Sequence, residues 1–419
     1  MRRPPGFFYG WVIVGSVALL LAASSGARFA FGVFLKPVSE AHDWGREALS
    51  LAITINLVLG GLLQPAAGLL VDRLGARLVG AGGMALLGLS FLGLAMAGDL
   101  WQVYLLYGVV GALGTATTSS VLSAKLVGAW FVRRRGTAMS FSTSGTAIGQ
   151  LLIVPFATWV LLNYGFQAGF QTIAAISLLI VTPFAWLVIR DKPADVGLAA
   201  DGGAPAERAE TRRHDEGVDV ATALRSPVFW QLSFGLIACG VTMSFPSTHL
   251  MPYAMDMHVP EMTASESLGL AGGLSLPAAI VVGWLADRIG RGRMLAAVYA
   301  LRGITYVVLL GANSEQMWLL AALTLGLSWT GTVPLSSALA ADAFGRKNLG
   351  LITGTMVKGM WIASGIAAFL AGLVYDHTHS YYLALVGNGM LGFSAAAVCL
   401  TIVGERALPF ATARRPALA

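Results

Sequence analysis

The stretch Gly68–Arg77 reads GLLVDRLGAR, and Gly283–Arg293 repeats it as GWLADRIGRGR. The interval between the two copies is close to half of the chain, which has 419 residues. A second pair of segments agrees, because Phe131 and Phe344 are separated by nearly the same interval and each precedes basic residues and a glycine. Self-similarity at this period predicts that the chain consists of two halves with similar structures.

The composition places the chain in lipid. Hydrophobic residues make up 56% and charged residues 11% of it, and the mean hydropathy is +0.72. Ordinary soluble domains carry about 25% charged residues. The two cysteines, Cys239 and Cys399, lie in apolar runs and are interpreted as packing residues. No nucleotide-binding loop, metal-ligand cluster or catalytic set is apparent, so we expect no enzyme activity, no cofactor and no metal.

Twelve apolar segments are long enough to cross a bilayer, since about 20 residues span it and a helix satisfies its own backbone. They cover roughly residues 11–35, 48–71, 79–97, 101–124, 137–161, 169–189, 229–250, 266–286, 294–311, 317–340, 350–374 and 381–403. The predicted fold is therefore an all-α membrane protein with twelve transmembrane helices in two pseudo-symmetric six-helix bundles. The predicted domains are a first bundle at 1–189, a cytoplasmic linker at 190–228, a second bundle at 229–405 and a basic tail at 406–419.

The basic residues predict the orientation. Of the 27 lysines and arginines, 22 fall in loops on the side of the termini, and the opposite loops hold only Lys36 and Arg46. Positively charged loops stay in the cytoplasm, so both termini are predicted to be cytoplasmic. The expected location is a plasma membrane, specifically a bacterial inner membrane. The net charge of +6 is a topology signal and gives no reason to expect a nucleic-acid partner.

The charges of the repeated motif suggest a latch on the cytoplasmic side. A carboxylate at the end of the second span can hold the start of a neighbouring helix and pair with nearby arginines. The alternative is a set of charges that only fixes topology, and the two interpretations are compatible. The predicted latch residues are Asp72, Arg73, Arg77, Arg133 and Arg134, with Asp287 and Arg288 in the second copy.

The Gly-x-x-x-Asp-Arg-x-Gly-x-Arg pattern after the second and eighth spans resembles the signature of the major facilitator superfamily. Further features resemble its monocarboxylate transporter and oxalate/formate antiporter branch: Tyr9-Gly10-Trp11, Phe31-Gly32-Val33-Phe34, the loop Trp130–Gly136 and Lys358. The resemblance implies a monomeric secondary transporter that works by alternating access. It also implies that Lys358, in span eleven, meets the carboxylate of the substrate.

Three basic residues fall within predicted spans: Arg28, Arg302 and Lys358. A charge at mid-bilayer costs about 2.5 to 3.5 kcal/mol on insertion scales, so such residues are functional candidates. No aspartate or glutamate lies deep in a predicted span, and an anionic cargo would supply the missing negative charge. Arg28 is expected in the outer third of span one, where the alternative is that it reaches to the outer surface. For Lys358, the alternative is pairing with helix-end carbonyls or a neighbouring loop.

Other polar residues complete the candidate substrate site. His249 lies near the position that is pseudo-symmetric to Arg28, at the outer mouth, and either carries a proton or is a polar residue at the membrane edge. Arg302 contacts substrate, or it is a structural arginine that bonds backbone carbonyls of spans seven or eight. Asn56 and Trp361 are neutral candidates. The monocarboxylate branch typically has an arginine in span eight, whereas Leu268–Ala286 contains none.

The function predicted from these residues is secondary active transport of small organic anions, monocarboxylates first, by proton symport or anion exchange. An exporter of neutral or cationic compounds is the alternative within transporters, and it predicts a carboxylate inside the membrane. A non-transporting membrane sensor is the alternative from another class, and it predicts an added cytoplasmic domain. The expected partners are therefore a small organic anion, a co-transported proton and the lipid bilayer.

Overall fold

The structure is a computed structural model that describes residues 8–200, 217–345 and 348–402. Those residues form helices and connecting loops, with one isolated β-bridge between Gly217 and Gly345. The chain divides into two compact units, Met1–Pro205 (unit 1) and Ala206–Ala419 (unit 2), and this boundary falls within the predicted linker. The predicted basic tail, 406–419, lies outside the described residues.

Unit 1 begins with three uninterrupted helices and continues with two longer, composite segments. Spans 1 to 3 are Gly10–His42, Arg46–Leu74 and Ala76–Leu94. Span 4 is Leu100–Trp130, made of α-helices Leu100–Val103, Ala112–Thr117 and Ser120–Trp130 and a π-helical segment Tyr104–Gly111. The second composite segment, Arg135–Val188, comprises Arg135–Thr143, Gly145–Ala175, the π-helical Ile176–Val181 and Thr182–Val188.

Unit 2 follows the same plan. A short helix, Val220–Arg225, leads into the bundle. Spans 7 to 9 are Pro227–Thr248, Glu261–Ile289 and Arg291–Leu310, with a short helix Leu250–Asp256 after span 7. Span 10 consists of Glu315–Trp329 and Thr332–Phe344. Spans 11 and 12 are Leu349–Thr378 and Tyr382–Leu400.

Eleven segments of the described chain are long and apolar enough to cross a membrane, and the longest of them, Arg135–Val188, contains two crossings. Its 54 residues would measure about 80 Å as one helix, against about 30 Å for the hydrocarbon core. At Gly165 the backbone leaves the helical conformation with φ 83° and ψ 172°. The pieces on either side of Gly165 are spans 5 and 6. The prediction of twelve spans in an all-α fold is thereby confirmed.

Several helices extend further than the hydropathy pattern predicted, and in spans 1 and 8 the extension changes the position of a charged residue. Span 1 continues to His42 through Pro37, so Arg28 is the nineteenth of its 33 residues and lies near the middle of the helix. Span 8 begins at Glu261, which places the exposed Glu266 in its second turn, further inside the helix than predicted. The hydropathy pattern detects only the apolar part of a helix. In spans 1 and 8 the helix continues into neighbouring polar residues, which the pattern does not detect.

The loop inside each motif copy is a single glycine. Gly75 separates spans 2 and 3 with φ 87° and ψ 153°, and Gly290 separates spans 8 and 9 with φ 95° and ψ 139°. This region of backbone conformation is accessible essentially to glycine alone. The glycine of the Asp-Arg-x-Gly pattern is therefore required by the turn itself.

Within each unit some large side chains are buried between helices and others are exposed on the surface. Trp130 and Phe91 are fully buried in unit 1, and Tyr299 is fully buried in unit 2. Leu179 and Ile280, in contrast, are about three-quarters exposed. Exposed apolar side chains on spanning helices are expected where a protein faces lipid, because lipid chains are as apolar as leucine.

Candidate functional site

Arg28 lies in an aromatic environment in unit 1. Its guanidinium is 5.0 Å from the ring centroid of Phe29, and Tyr107 of span 4 lies close to it. The ring of Tyr107 stacks on Phe31 with centroids 3.7 Å apart. The side chain of Arg28 is half-buried. Aromatic faces attract cations, so these rings can hold the guanidinium in place while part of it stays accessible.

Asn56 is buried and acts on the backbone of span 4. Its amide nitrogen donates to the carbonyl oxygen of Tyr107 at 2.7 Å. In the same segment, the hydroxyl of Ser90 donates to the carbonyl oxygen of Leu106 at 2.9 Å. Both carbonyls belong to the π-helical segment, a rare geometry that occurs frequently at functional sites. Asn56 therefore fixes the segment that carries Tyr107, the residue beside Arg28.

Lys358 is exposed in span 11. It is the tenth of 30 residues, about 14 Å from the start of the helix at 1.5 Å per residue. Among the described residues it makes no hydrogen bond and no ion pair. Trp361 lies three residues further on, hence on the same face of the helix, and is half-buried. The ammonium of Lys358 is thus available to an anion.

His249 is fully buried in unit 2, at the end of span 7. Nε2 lies 2.8 Å from the carbonyl oxygen of Ala368, and Nδ1 lies 3.1 Å from the hydroxyl of Tyr381. A carbonyl only accepts, so Nε2 carries a proton and Nδ1 accepts from the Tyr381 hydroxyl in the neutral ring. The sequence predicted His249 at an outer mouth, either as a proton carrier or as a polar residue at the membrane edge. In the structure its ring is buried and joins the end of span 7 to span 11 and to Tyr381.

Arg302 is fully buried in span 9. Its Nη2 donates to the carbonyl oxygen of Ser328 and, at 3.4 Å, to that of Trp329, and the guanidinium lies 5.8 Å from the ring centroid of Tyr299. The acceptors belong to span 10, not to spans 7 or 8 as the structural alternative supposed. Arg302 contacts backbone, and it has no exposed surface to offer a substrate.

The first motif copy pairs Asp72 with a residue outside the predicted latch. The Nζ of Lys125, in span 4, lies 2.5 Å from Asp72 Oδ2 and donates to the carbonyl oxygen of Gly68 at 2.5 Å. The arginines proposed from the sequence are not its partners.

The start of span 3 is held by Asp191 and not by Asp72. The backbone N–H of Arg77 donates to Asp191 Oδ1 at 3.0 Å, and an acid is favourable at a helix N-terminus. The side chain of Arg77 donates from Nε to the carbonyl oxygen of Trp186 at 2.6 Å and stacks on that indole with Cζ 4.4 Å from the centroid. Arg77 therefore joins span 3 to span 6.

The second motif copy uses different partners. Arg288 stacks on Trp284 with its Cζ 3.8 Å from the ring centroid, and a salt bridge joins Arg291 to Asp342 of span 10. Asp287 is exposed. Within the part of the chain that the structure describes, Asp287, Arg73, Arg133 and Arg134 have no ion-pair partner. The seven predicted latch residues are thus not brought together into one cluster in either unit.

Two motifs behind the narrower resemblance contact each other. Trp11 packs edge-on against Phe131 with centroids 5.1 Å apart, and Tyr9 lies 5.6 Å from the Trp130 ring. The Tyr9 hydroxyl donates to the carbonyl oxygen of Val188 at 2.7 Å. These aromatic residues fasten the start of span 1 to the ends of spans 4 and 6.

Sequence reasoning missed Lys125, Asp191 and Tyr107. Lys125 and Asp191 lie at span ends, where charges are common, and nothing in their spacing indicates a partner on a different span. Tyr107 carried a weak signal, as a large ring with a polar hydroxyl in an apolar span. Among the described residues, no group of three or more His, Cys, Asp or Glu side chains is placed to hold a metal ion.

The chain belongs to the major facilitator superfamily, whose sequence profile matches residues 17–311 and 268–417. It is therefore a multi-pass membrane transporter of small molecules. The family is one of transporters and not of enzymes, in agreement with the sequence-based prediction.

The relatives of this chain include transporters of the predicted branch. The uncharacterized MFS-type transporter YcxA of Bacillus subtilis (strain 168) is 24% identical, covering 95% of this chain and 93% of its own. Monocarboxylate transporter 11 of Homo sapiens is 26% identical over 97% of this chain and 85% of its own length. The oxalate:formate antiporter of Oxalobacter formigenes is 24% identical over 86% of this chain and 85% of its own.

Solved structures share the fold. A bacterial homolog of the human lysosomal transporter Spinster, in its inward-facing and occupied conformation, matches with a TM-score of 0.71 at 13% identity. The match covers 94% of this chain and 97% of that one. The inward-facing, unoccupied structure gives a TM-score of 0.69 over 99% of this chain and 98% of its own.

Proposed function

We propose that the chain is a secondary active transporter of small organic anions, with monocarboxylates as the first class. It works by alternating access, with proton symport or anion exchange. The observation that carries the proposal is Lys358, an exposed ammonium in the interior of span 11 that has no ion-pair partner among the described residues. A charge in that position is costly without a counter-charge, and a carboxylate cargo supplies one.

Arg28 is the second proposed contact. It is a half-buried residue near the middle of span 1, its guanidinium lies 5.0 Å from the ring centroid of Phe29, and a guanidinium can bind a carboxylate with two hydrogen bonds. Asn56 supports it indirectly through the backbone of Tyr107. Trp361, on the Lys358 face of span 11, offers an apolar surface to the hydrocarbon part of a small acid.

The relatives support the same substrate class, since two of those named above are a monocarboxylate transporter and an oxalate:formate antiporter. The distribution of basic residues supports cytoplasmic termini. Location in a bacterial inner membrane and a monomeric state are parts of the same proposal. The predicted domain limits, with bundles at 1–189 and 229–405, belong to the same proposal.

The test is uptake of labelled lactate, pyruvate, formate or oxalate into proteoliposomes that contain the purified protein. An imposed pH gradient drives uptake in the case of symport, and unlabelled anion inside the vesicles drives it in the case of exchange. We expect Lys358→Ala to reduce uptake at least tenfold and Lys358→Arg to retain part of it. The matched control is Arg225→Ala, which removes an exposed cation outside the spans.

Two results would count against the proposal. Equal uptake by wild type, Lys358→Ala and Arg28→Ala would remove these residues from the site. Uptake of neutral or cationic compounds, with none of any carboxylate tested, would support the exporter instead.

A further inference from the structure

Span 10 is broken in the membrane. Its first helix ends at Trp329 and its second begins at Thr332, with Thr330 and Gly331 between them. The last carbonyl groups of a helix have no N–H partner within it, and the aligned peptide dipoles make that end negative. In a membrane these groups need partners from the protein, since lipid offers none.

Arg302 supplies a hydrogen-bond donor to the carbonyl groups at the end of the first helix. Its Nη2 donates to the carbonyl oxygens of Ser328 and Trp329, the last two residues of that helix. The guanidinium carries a positive charge and is 0% exposed, so the negative helix end compensates it. Among the described residues no acid pairs with it, and its Nε and Nη1 have no hydrogen-bond partner. The helix end therefore accounts for all of the hydrogen bonds that Arg302 makes there.

Spans 7 and 8 also contact the residues at the break in span 10. The hydroxyl of Thr330 donates to the carbonyl oxygen of Ser275 in span 8 at 3.0 Å, and that of Thr332 lies 3.1 Å from Cys239 Sγ in span 7. Arg302 adds the contact from span 9. The break is consequently a fixed feature of the bundle and not a flexible joint.

Unit 1 has a corresponding break one repeat period earlier in the chain, at Thr118 and Ser119 in span 4. There the hydroxyl of Thr118 donates to Ser24 Oγ of span 1 at 2.9 Å, and Ser119 Oγ accepts from the N–H of Val121. Among the described residues, the side chains that form hydrogen bonds at this break carry neutral hydroxyl groups, namely Thr118, Ser119 and Ser24. A buried cation is therefore not needed for the break as such, and its presence in unit 2 calls for a separate explanation.

We propose that Arg302 is a positioning residue for transport. It clamps the end of the helix Glu315–Trp329 and thereby fixes the backbone of Trp329 and Thr330, and it does not touch the cargo. This role replaces the direct substrate contact that the sequence suggested. The effect on transport rests on the proposed function, whereas the clamp itself does not.

Hydrogen exchange followed by mass spectrometry tests the clamp on the full chain in detergent. The variants are Arg302→Met, Arg302→Lys and Arg302→Gln, with Tyr299→Phe as the matched control. Tyr299 is also fully buried in span 9, but its hydroxyl donates to the carbonyl oxygen of Gly235 in span 7 and not to span 10. We expect amides between residues 330 and 336 to exchange at least tenfold faster in Arg302→Met.

The two conservative variants keep a donor for the same carbonyls, so they should show a smaller increase, and they keep the test valid if Arg302→Met does not fold. Tyr299→Phe should exchange like the wild type in this segment. Unchanged exchange in every Arg302 variant, or an equal increase in Tyr299→Phe, would overturn the clamp.

Uptake kinetics separate positioning from contact. For a positioning residue, Arg302→Met should lower the maximal rate more than it raises the half-saturating concentration, with partial rescue by lysine. A raised half-saturating concentration with unchanged exchange would assign Arg302 to the cargo instead and contradict the proposal. If no carboxylate is transported at all, the proposed function fails while the exchange result still decides the clamp.

Discussion

The two copies of the motif share a turn and differ in their electrostatics. Gly75 and Gly290 adopt nearly the same conformation, with φ 87° and 95°. In unit 1, however, the ion pair has its acid at the end of span 2 and its base, Lys125, on span 4. In unit 2 the base, Arg291, is at the start of span 9 and the acid, Asp342, is on span 10.

This difference shows what the repeated sequence specifies. The glycine fixes the backbone path between two helices, because few other residues can adopt that conformation. In each unit one partner of the ion pair lies in the motif and the other lies outside it. The motif supplies the acid in unit 1 and the base in unit 2. The residues that the two motif copies share, such as Asp72 and Asp287, therefore do not make the same contacts.

The largest expected effect is that of Gly75→Ala compared with Gly290→Ala. Both substitutions force a side chain into the glycine region, at a cost of about 1 to 3 kcal/mol. At Gly75 the new Cβ would also lie 2.5 Å from Asp191 Oδ2, whereas at Gly290 nothing lies within 4 Å. Gly75→Ala should therefore lower the apparent melting temperature in detergent more than Gly290→Ala does. Equal shifts would mean that Asp191 moves aside without cost.

The next effect is that of Asp191→Ala, which removes the acceptor for the first turn of span 3. Loss of a capping oxygen costs about 1 kcal/mol. Asp191→Asn retains an acceptor and should lose less, and the same thermal measurement compares the two. If alanine and asparagine behave alike, the bond from the Arg77 N–H contributes little to the stability of unit 1.

The smallest effect is expected from the ion pairs themselves. Exposed pairs contribute about 0 to 1 kcal/mol, and salt screens them. Asp342 is 33% exposed and Asp72 is 62% exposed, so Asp342→Asn should destabilise more than Asp72→Asn. Raising the salt concentration should reduce the Asp72 effect first. A larger or salt-independent effect at Asp72 would show that its pair contributes more than an exposed pair does.

Much of the fold followed from hydropathy, and the candidate site followed in part. Spans are predictable because lipid forces each apolar segment to satisfy its own backbone as a helix. The break at Thr330 in span 10 and the π-helical segment around Tyr107 were not predicted, because the hydropathy there is that of an ordinary spanning helix. Charges inside the spans were identified correctly as unusual residues, but their partners lie far away in the sequence.

Residue order alone was enough to establish twelve helices in two related halves, since the bilayer thickness sets the length of each span and the repeat is visible in the sequence. It also predicted that Arg28, Arg302 and Lys358 lie within spans, and the structure places all three in spanning helices. What each cation does became known from the packing of the helices: Lys358 is exposed, while Arg302 bonds to the end of a broken helix. The reason is that the role of a charge in lipid depends on its partner, and helix packing brings that partner within reach.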